Sequence, residues 1–195
     1  VRLYANKYYT DFFEGYGSGF SIGNSYFLSF SDDVVRQGNQ TDFGLAVPNS
    51  SIWSFTNVRS INIMLDRIEN RMSSILSAEA YNHWVGVGRF FRGMRYADLV
   101  TTYGDLPYYD RPVRDTDFDM LYKKRTPRND VMDAVYEDLK FAFENVRLND
   151  GEQSVNRYVV AGFVSRLALT EGSWQKYYYN NTDRAKKFLE LAQLA

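Results

Sequence analysis

The stretch that decides the fold is RFFRGMRYADLVTTYGDLP, residues 89–107. Its apolar side chains recur at intervals of three and four residues, as on one face of an α-helix: Phe90, Phe91, Met94 and Ala97. The same pattern runs back to Ala78 and predicts a helix over residues 78–103. The helix should end there because Gly104 can take the left-handed C-cap conformation and Pro107 follows shortly after.

Similar stripes predict helices on both sides of this one. We expect a short helix over residues 4–13, a mostly buried one from about 51 to 76, and a last one from Thr182 onward, capped by the Asn181 cluster and still running at Ala195. Thr126 as N-cap and Pro127 at the first helical position predict another start, followed by an apolar stripe: Val131, Val135, Leu139, Ala142 and Val146. A further helix is expected from about Asn156 to Glu171, with Gly172 as its stop.

Successive helices joined by short turns form stacked hairpins. The sequence therefore predicts an all-α fold, an α-solenoid-like bundle with tetratricopeptide-like helical hairpins, although a strict repeat is not visible. Residues 29–51 are rich in Asp, Asn, Gly and Ser and predict a long irregular loop, and residues 104–125 predict an extended connection without an element of its own. Long loops inside a compact domain are usually functional.

The composition excludes several classes of function. The 23 Lys and Arg balance 24 Asp and Glu, so the chain has no electrostatic footprint for nucleic acid or for an anionic membrane surface. No apolar run reaches the roughly 18 residues of a membrane span. The absence of cysteine excludes disulfides and thiolate chemistry. Aromatic residues make up 17% of the chain, and this abundance favours some rings being exposed for binding.

The sequence contains no recognisable catalytic or cofactor motif. Asp115, Asp117 and Asp119 alternate like the first ligands of an EF-hand loop, but the required glycine and the final glutamate are missing, which favours a solvated acidic loop. His83 is the only histidine and has no nucleophile motif near it, so a structural or surface role is the better interpretation. Neither a cofactor nor a metal site is predicted.

Some polar and aromatic groups leave two interpretations open. Asp32 and Asp33 can be half of a glycosidase carboxylate pair, which needs two carboxyls roughly 5 to 10 Å apart, or they can cap a helix or hold a loop. The arginine face of the central helix is better explained by solvation or ion pairing than by an anion site: Arg89, Arg92 and Arg95, with Asp98. The clusters at residues 108–109 and 177–179 can serve as platforms for sugars or peptides, with core packing as the favoured role.

Residues 89–107 closely resemble the hallmark helix and turn of the SusD/RagB family of nutrient-binding outer-membrane lipoproteins. Weaker matches follow in the family's order: residues 31–33, residues 53–68, residues 128–139, and residues 161–177 with Arg166, Leu169 and Trp174. The resemblance implies that the chain, residues 1–195, is one helical SusD-like N-terminal segment, with the lipoprotein signal, the lipid-bearing Cys and the C-terminal half lying outside it.

The resemblance also implies a function. It predicts non-catalytic binding of glycan, an oligosaccharide or polysaccharide, on the surface of the outer membrane, where a lipid anchor holds the protein. It further predicts delivery of that glycan to a SusC-like TonB-dependent transporter. Peptide binding as in the RagB branch, a glycoside hydrolase, and a helical scaffold without a small ligand are the alternatives.

A saccharide site needs aromatic plates for C–H faces beside groups that donate and accept hydrogen bonds. The loop from Arg36 to Trp53 concentrates such residues. We therefore predict ligand contacts from five side chains: Arg36, Asn39, Gln40, Phe43 and Trp53. The competing interpretations are that Trp53 is a core residue at the start of the second helix and that the main rings lie in the C-terminal half.

Overall fold

The structure, a computed structural model, describes residues 1–13 and 53–195. The chain divides into two compact units, residues Arg2–Trp53 and residues Ser54–Ala195 together with Val1. The predicted loop over residues 29–51 and the acidic pair Asp32 and Asp33 lie outside the described residues.

The described part of the first unit is helical. It consists of α1 (Arg2–Ala5), a 3₁₀ turn (Asn6–Tyr8) and α2 (Tyr9–Phe12). The ring of Tyr4 meets that of Tyr8 edge-on at 6.3 Å, as residues one helical turn apart do. The predicted short helix over residues 4–13 is therefore confirmed, with a tightened turn in its middle.

The second unit is built from helices. They are α3 (Thr56–Arg67), which continues as a π-helical turn (Ile68–Met72), α4 (Ala78–Tyr103), α5 (Phe118–Leu121), α6 (Arg128–Asn145), α7 (Arg157–Tyr177) and α8 (Thr182–Leu194). Among the described residues no β-strand forms, and one isolated antiparallel bridge joins Leu106 to Thr126. The long helices pack most extensively on their neighbours in the sequence, in the order α3, α4, α6, α7, α8. The predicted all-α fold of stacked hairpins is confirmed.

The central helix α4 begins and ends at the predicted residues. Ser77 caps its start by accepting a hydrogen bond from the Ala80 amide at 3.2 Å. Gly104 follows its end with φ 72° and ψ −117°, so φ is positive as predicted, although ψ is not that of the left-handed helix. Close packing explains two other glycines, because a Cβ on Gly86 would lie 2.9 Å from Val146 and one on Gly88 2.6 Å from Leu65.

The start of α6 differs from the prediction. Thr126 is not the N-cap, because its backbone pairs with Leu106 in the bridge. Pro127 is the N-cap residue, and its side chain makes no capping hydrogen bond. Asp105 supplies the cap from the preceding connection by accepting a hydrogen bond from the Arg128 amide at 2.8 Å. The predicted inward stripe of α6 is buried at every position: Val131, Val135, Leu139, Ala142 and Val146.

Three other predicted boundaries need correction. Helix α3 begins at Thr56, later than predicted, and ends with its π-helical turn at Met72. Helix α7 does not stop at Gly172 but runs to Tyr177. Gly172 serves close helix packing instead, because a Cβ at this position would clash with Leu189 of α8. The connection over residues 104–125 contains a helical turn, α5, that the sequence pattern did not indicate.

The last two helices begin where predicted, and the predicted N-cap of α8 at Asn181 is confirmed. Asn156 accepts a hydrogen bond from the Val159 amide at 3.0 Å, and Asn181 accepts one from the Arg184 amide at 3.1 Å. Buried side chains along both helices complete the core: Val160, Val164, Ala168, Ala185, Phe188 and Leu191. Within the described residues, no helix has the length and apolarity needed to cross a bilayer.

Candidate functional site

A buried polar cluster at Arg92 forms the centre of the larger unit. The Arg92 guanidinium donates from Nε to Asp138 Oδ2 at 2.7 Å and from Nη2 to Asp138 Oδ1 at 2.8 Å, which joins α4 to α6. Its Nη1 donates to Asn62 Oδ1 and to the Asp110 carbonyl, both at 3.0 Å. Burial alone lowers the pKa of Arg92, but the hydrogen bonds and charge of Asp138 outweigh it and raise the pKa above its ordinary value. The predicted ion pairing is confirmed for Arg92, whereas the solvated alternative is wrong for this residue, which is 7% exposed.

The cluster fixes the backbone at Tyr109. Asn62 Nδ2 donates to the Tyr109 carbonyl at 2.8 Å and to the Arg111 carbonyl at 3.3 Å. The Tyr96 hydroxyl accepts from the Tyr109 amide at 2.6 Å and donates to the Tyr109 carbonyl at 3.2 Å. Burial raises the pKa of Tyr96 far above its ordinary value, although the hydrogen bond from Tyr109 opposes this. The extended connection is therefore fastened to α3 and α4 where it passes over them.

This segment of the connection places Tyr109 against Phe55, the residue that immediately precedes α3. Their rings meet at right angles, with centroids 5.5 Å apart and an interplanar angle of 88°. They border a cavity of about 330 Å³, which we call the Phe55–Tyr109 pocket: Phe55, Thr56, Val58, Arg59, Asn62, Tyr109, Arg111, Val113, Asp115 and Leu121. The pocket combines rings with exposed groups that donate and accept hydrogen bonds, as recognition of a hydroxyl-rich ligand requires.

The two tyrosines at residues 108–109 have different roles. Tyr108 packs on Tyr96 with ring centroids 4.8 Å apart, and burial raises its pKa to about 12. Core packing, the favoured interpretation, is thus confirmed for Tyr108. Tyr109 lines the pocket instead, which agrees with the platform interpretation.

A larger cavity of about 610 Å³ lies between α4, the start of α6 and α7, and we call it the α4–α7 groove. Its lining alternates apolar with charged or hydroxyl side chains: Met94, Ala97, Asp98, Val100, Thr101, Gly104, Arg128, Met132, Phe163, Arg166, Leu167, Thr170, Glu171, Trp174 and Tyr179. Arg128 and Glu171 form a bidentate ion pair at its wall, with N–O distances of 2.8 and 2.6 Å.

Exposed rings line this groove at Trp174 and Tyr179 and an adjoining depression at Tyr177 and Tyr178. The Trp174 indole and the Tyr178 ring stack in parallel, with centroids 4.4 Å apart and planes 9° apart. Tyr177 and Tyr178 are 74% and 73% exposed, and Tyr179 is 49% exposed. The favoured interpretation of residues 177–179 as core residues is therefore wrong, because α7 extends past the packed region before it ends.

The single histidine is structural. His83 is fully buried; its Nδ1 accepts from the Arg147 amide at 3.2 Å and its Nε2 lies 3.4 Å from Asp150 Oδ2. Arg147 in turn pairs with Asp150 at 2.9 Å and with Glu79 at 2.7 Å. Burial lowers the pKa of His83, and the nearby Asp150 only partly offsets this. These contacts join the start of α4 to the connection between α6 and α7.

The acidic residues of the long connection hold no metal cluster. Asp117 lies 3.4 Å from the Arg111 guanidinium, on the solvent side. Among residues 1–13 and 53–195, no three His, Cys, Asp or Glu side chains come together as metal ligands.

The predicted ligand contacts fall largely outside the described residues. Arg36, Asn39, Gln40 and Phe43 are among residues 14–52, whereas Trp53 is described and is partly exposed, three residues before α3. Phe55 lies within the mostly buried helix predicted from about 51 to 76, so the sequence pattern did not indicate its place in a pocket. Only the adjacent tyrosines 108 and 109 signalled this region.

The comparisons with known proteins agree with this architecture. The SusD-like family described as "Starch-binding associating with outer membrane" matches residues 4–169. A curated relative, SusD-like protein P2 of Formosa agariphila, is 30% identical over 110 residues, which cover 55% of this chain and 20% of that protein.

Solved structures share the fold. A SusD-like protein from Bacteroides fragilis superposes with a TM-score of 0.53 at 18% identity, covering 72% of this chain and 27% of that one. A SusD-like carbohydrate-binding protein from Bacteroides vulgatus gives 0.53 at 19% identity, over 70% and 29% of the two chains. A structure with xylogluco-oligosaccharide gives 0.54 at 16% identity, over 71% and 28%. The chain thus spans about a fifth of the curated relative and less than a third of these solved proteins.

Proposed function

Because the chain belongs to the SusD-like family of starch-binding proteins associated with the outer membrane, we propose that it captures oligosaccharide at the cell surface without cleaving it. The family supplies the carbohydrate class, and one of the similar folds carries a xylogluco-oligosaccharide.

The observation that carries the proposal is the Phe55–Tyr109 pocket. A pyranose ring offers an apolar C–H face surrounded by hydroxyls, so it binds best where a ring lies beside paired donors and acceptors. Tyr109 and Phe55 supply the rings, and the exposed side chains of Arg59, Arg111 and Asp115 supply donors and an acceptor. Its volume of about 330 Å³ suits one or two sugar units of a longer chain.

The pocket is held in shape before any ligand arrives. Tyr109 is tied by both its amide and its carbonyl to Tyr96 and Asn62, which are themselves buried. Asn62 is fixed in turn by Arg92. A site that needs no reordering loses less conformational entropy on binding, which supports the role of a capture module.

Geometry also supports binding without cleavage. Glycoside hydrolysis needs two carboxyls roughly 5 to 10 Å apart across the scissile bond. In the described lining of the pocket Asp115 is the only carboxylate. His83, the one histidine, is buried against Asp150 and so is not available as a general base for a surface ligand.

The proposal keeps the sequence-predicted contacts from Arg36, Asn39, Gln40, Phe43 and Trp53 as further ligand residues. We also propose, from the family resemblance, that a lipid anchor holds the protein on the outer membrane and that a SusC-like TonB-dependent transporter receives the glycan. Stable co-purification of the co-expressed protein and transporter in detergent tests that partnership, and separate elution of the two contradicts it.

Calorimetric titration of the chain with maltoheptaose and with a xylogluco-oligosaccharide tests the binding itself. Replacing Tyr109 by Ala should weaken the affinity roughly three- to tenfold, the worth of one aromatic contact. The matched control is Tyr122→Ala, which removes an 81% exposed ring from the same connection outside the pocket. If wild type and Tyr109→Ala bind with equal affinity, the ligand binds elsewhere. The affinities of Phe43→Ala and Asn39→Ala then test whether the sequence-predicted loop binds it.

Two further outcomes separate the alternatives. Chromatography of the sugars after long incubation should show no shortened products, and shortened products identify a glycoside hydrolase instead. If a mixed hexapeptide library binds and neither saccharide does, the result supports peptide binding, as in the RagB branch of the family.

A further inference from the structure

The α4–α7 groove has the chemistry of a second binding surface. Trp174 is 41% exposed although its indole is one of the largest apolar surfaces in the chain, and the stacked Tyr178 is 73% exposed. Exposed rings in a contiguous patch mark a place where something binds. An adjoining depression shares Thr170 and Trp174 with the groove and combines rings with small hydroxyl side chains: Leu169, Thr170, Ser173, Trp174, Tyr177 and Tyr178.

The indole is held in a fixed orientation. Tyr178 stacks on it in parallel at 4.4 Å, and the Arg128 guanidinium carbon lies 5.3 Å from its centroid. Arg128 itself is fixed by two hydrogen bonds to Glu171, which is 3% exposed. The platform is therefore built into α7 by an ion pair and a ring stack, rather than formed by freely turning side chains.

The lining shows which kind of ligand fits. The groove lining contains exposed groups that donate and accept hydrogen bonds. They are the carboxylate of Asp98, the hydroxyls of Thr101 and Thr170, and the guanidinium of Arg166. The centre of a protein–protein interface is usually depleted of charge, so this mixture does not favour an apolar helix as the occupant. Two acidic groups balance two arginines in the lining, so no positive field for phosphate or nucleic acid arises.

We propose that the α4–α7 groove and the adjoining depression, which share Trp174 in their linings, form a second saccharide-binding surface. Trp174 and the stacked Tyr178 are its platform, and the exposed polar groups of the groove lining are its hydrogen-bond partners. It rests on the proposed function and adds to it, because a chain with two sites holds a long glycan more tightly than a short one. The volume of about 610 Å³ lies within the range of roughly 300 to 1,000 Å³ that ligand sites occupy. A glycan that reaches both sites gains avidity without any new contact.

The test is made in a Tyr109→Ala background, which weakens the Phe55–Tyr109 pocket. Maltoheptaose and a xylogluco-oligosaccharide are titrated by calorimetry, first alone and then after Trp174→Ala or Tyr178→Ala is added. Each addition should weaken the remaining affinity roughly three- to tenfold. Tyr178→Ala serves as the second variant because its ring is 73% exposed, so its loss removes little buried surface. The matched control is Tyr158→Ala, which removes a 72% exposed ring of α7 that lines neither the groove nor the adjoining depression.

Nuclear magnetic resonance gives an independent readout. The chain has three tryptophans, so its spectrum contains three indole N–H signals, and Trp174→Phe assigns one of them. Saccharide should shift the Trp174 signal, including in the Tyr109→Ala background.

The outcomes distinguish the two proposals. Unchanged affinity after both Trp174→Ala and Tyr178→Ala, with a stationary Trp174 signal, overturns the second surface. Complete loss of binding in Tyr109→Ala alone overturns it as well, while leaving the proposed function in place. Absence of saccharide binding by the wild type overturns both.

Discussion

Arg92 of α4 and Asp138 of α6 form a buried bidentate ion pair between two long helices, with N–O distances of 2.7 and 2.8 Å. The third nitrogen of Arg92 reaches Asn62 of α3 and the backbone of the long connection. One side chain therefore fixes three helices and the segment that carries Tyr109. The arrangement joins the stability of the scaffold to the shape of the proposed pocket.

Replacing Arg92 by Ala should destabilise the protein strongly. Asp138 is 3% exposed, and removing its partner leaves a buried charge, which costs about 3 to 5 kcal/mol. Arg89 lies 3.9 Å away, too far to replace the lost hydrogen bonds. Urea unfolding measures the change. The double variant Arg92→Met with Asp138→Leu should recover part of the loss, because no charge remains buried.

An exposed ion pair provides the control for that experiment. Lys186 and Glu190 of α8 lie 3.7 Å apart and are 74% and 63% exposed. Glu190→Gln should change the free energy of unfolding by less than about 1 kcal/mol. If Arg92→Ala costs no more than this control, the buried pair does not hold the helices together.

Tyr96→Phe should affect saccharide binding more than its size implies. The variant keeps the ring but removes the hydroxyl that binds both the amide and the carbonyl of Tyr109. We expect a loss of about 1 to 2 kcal/mol in stability and a weaker affinity for maltoheptaose, because Tyr109 is no longer fixed. Calorimetry and thermal unfolding check both effects. Tyr122→Phe, at an exposed position on the connection, should change neither, and an unaltered affinity in Tyr96→Phe contradicts the role of Tyr109.

Two glycines of the same helix should respond in opposite directions. A Cβ on Gly172 would lie 2.7 Å from Leu189 Cγ and 3.2 Å from the Ala185 carbonyl, so Gly172→Ala should force α7 and α8 apart at about 1 to 3 kcal/mol. Among the described residues, apart from its chain neighbours and the nearby backbone of α7, no atom lies within 4 Å of the Cβ position of Gly162. Gly162→Ala should therefore stabilise α7 by about 0.5 to 1 kcal/mol through helix propensity. Thermal unfolding of both variants decides, and a stable Gly172→Ala contradicts the observed packing of α7 on α8.

The stability should fall as the pH is lowered through the range of histidine titration. Burial lowers the pKa of His83, so between its unfolded value of about 6.5 and its lower folded value the unfolded chain binds the extra proton. The stabilisation is fully present above about pH 6.5 and is lost as the pH falls through the folded pKa.

Urea midpoints at pH 7.5 and pH 5.5 measure this effect. His83 is the only histidine, so His83→Gln should remove most of the difference between the two midpoints. An imidazole signal that titrates at or above about 6.5 in the folded protein contradicts the assignment.

Local pattern determined much of this protein. The bounds of α4, the buried stripe of α6 and the asparagine cap of α8 follow from periodicity and capping, which depend on residues a few positions apart. The family resemblance of residues 89–107 was likewise visible in the sequence, and the matching family spans residues 4–169.

Contacts between distant residues decided the rest. The local pattern predicts Thr126 as a cap, but its pairing with Leu106 places it in a bridge. The same pattern predicts Gly172 as a helix stop, whereas the structure uses this glycine for close packing against Leu189. The sequence left solvation and ion pairing both open for Arg92, because its partner Asp138 is 46 positions away. Phe55 and Tyr109 meet across a similar gap in the sequence. Such pairs depend on how the helices pack, and a local pattern contains no information about which distant side chain will neutralise a charge or border a ring.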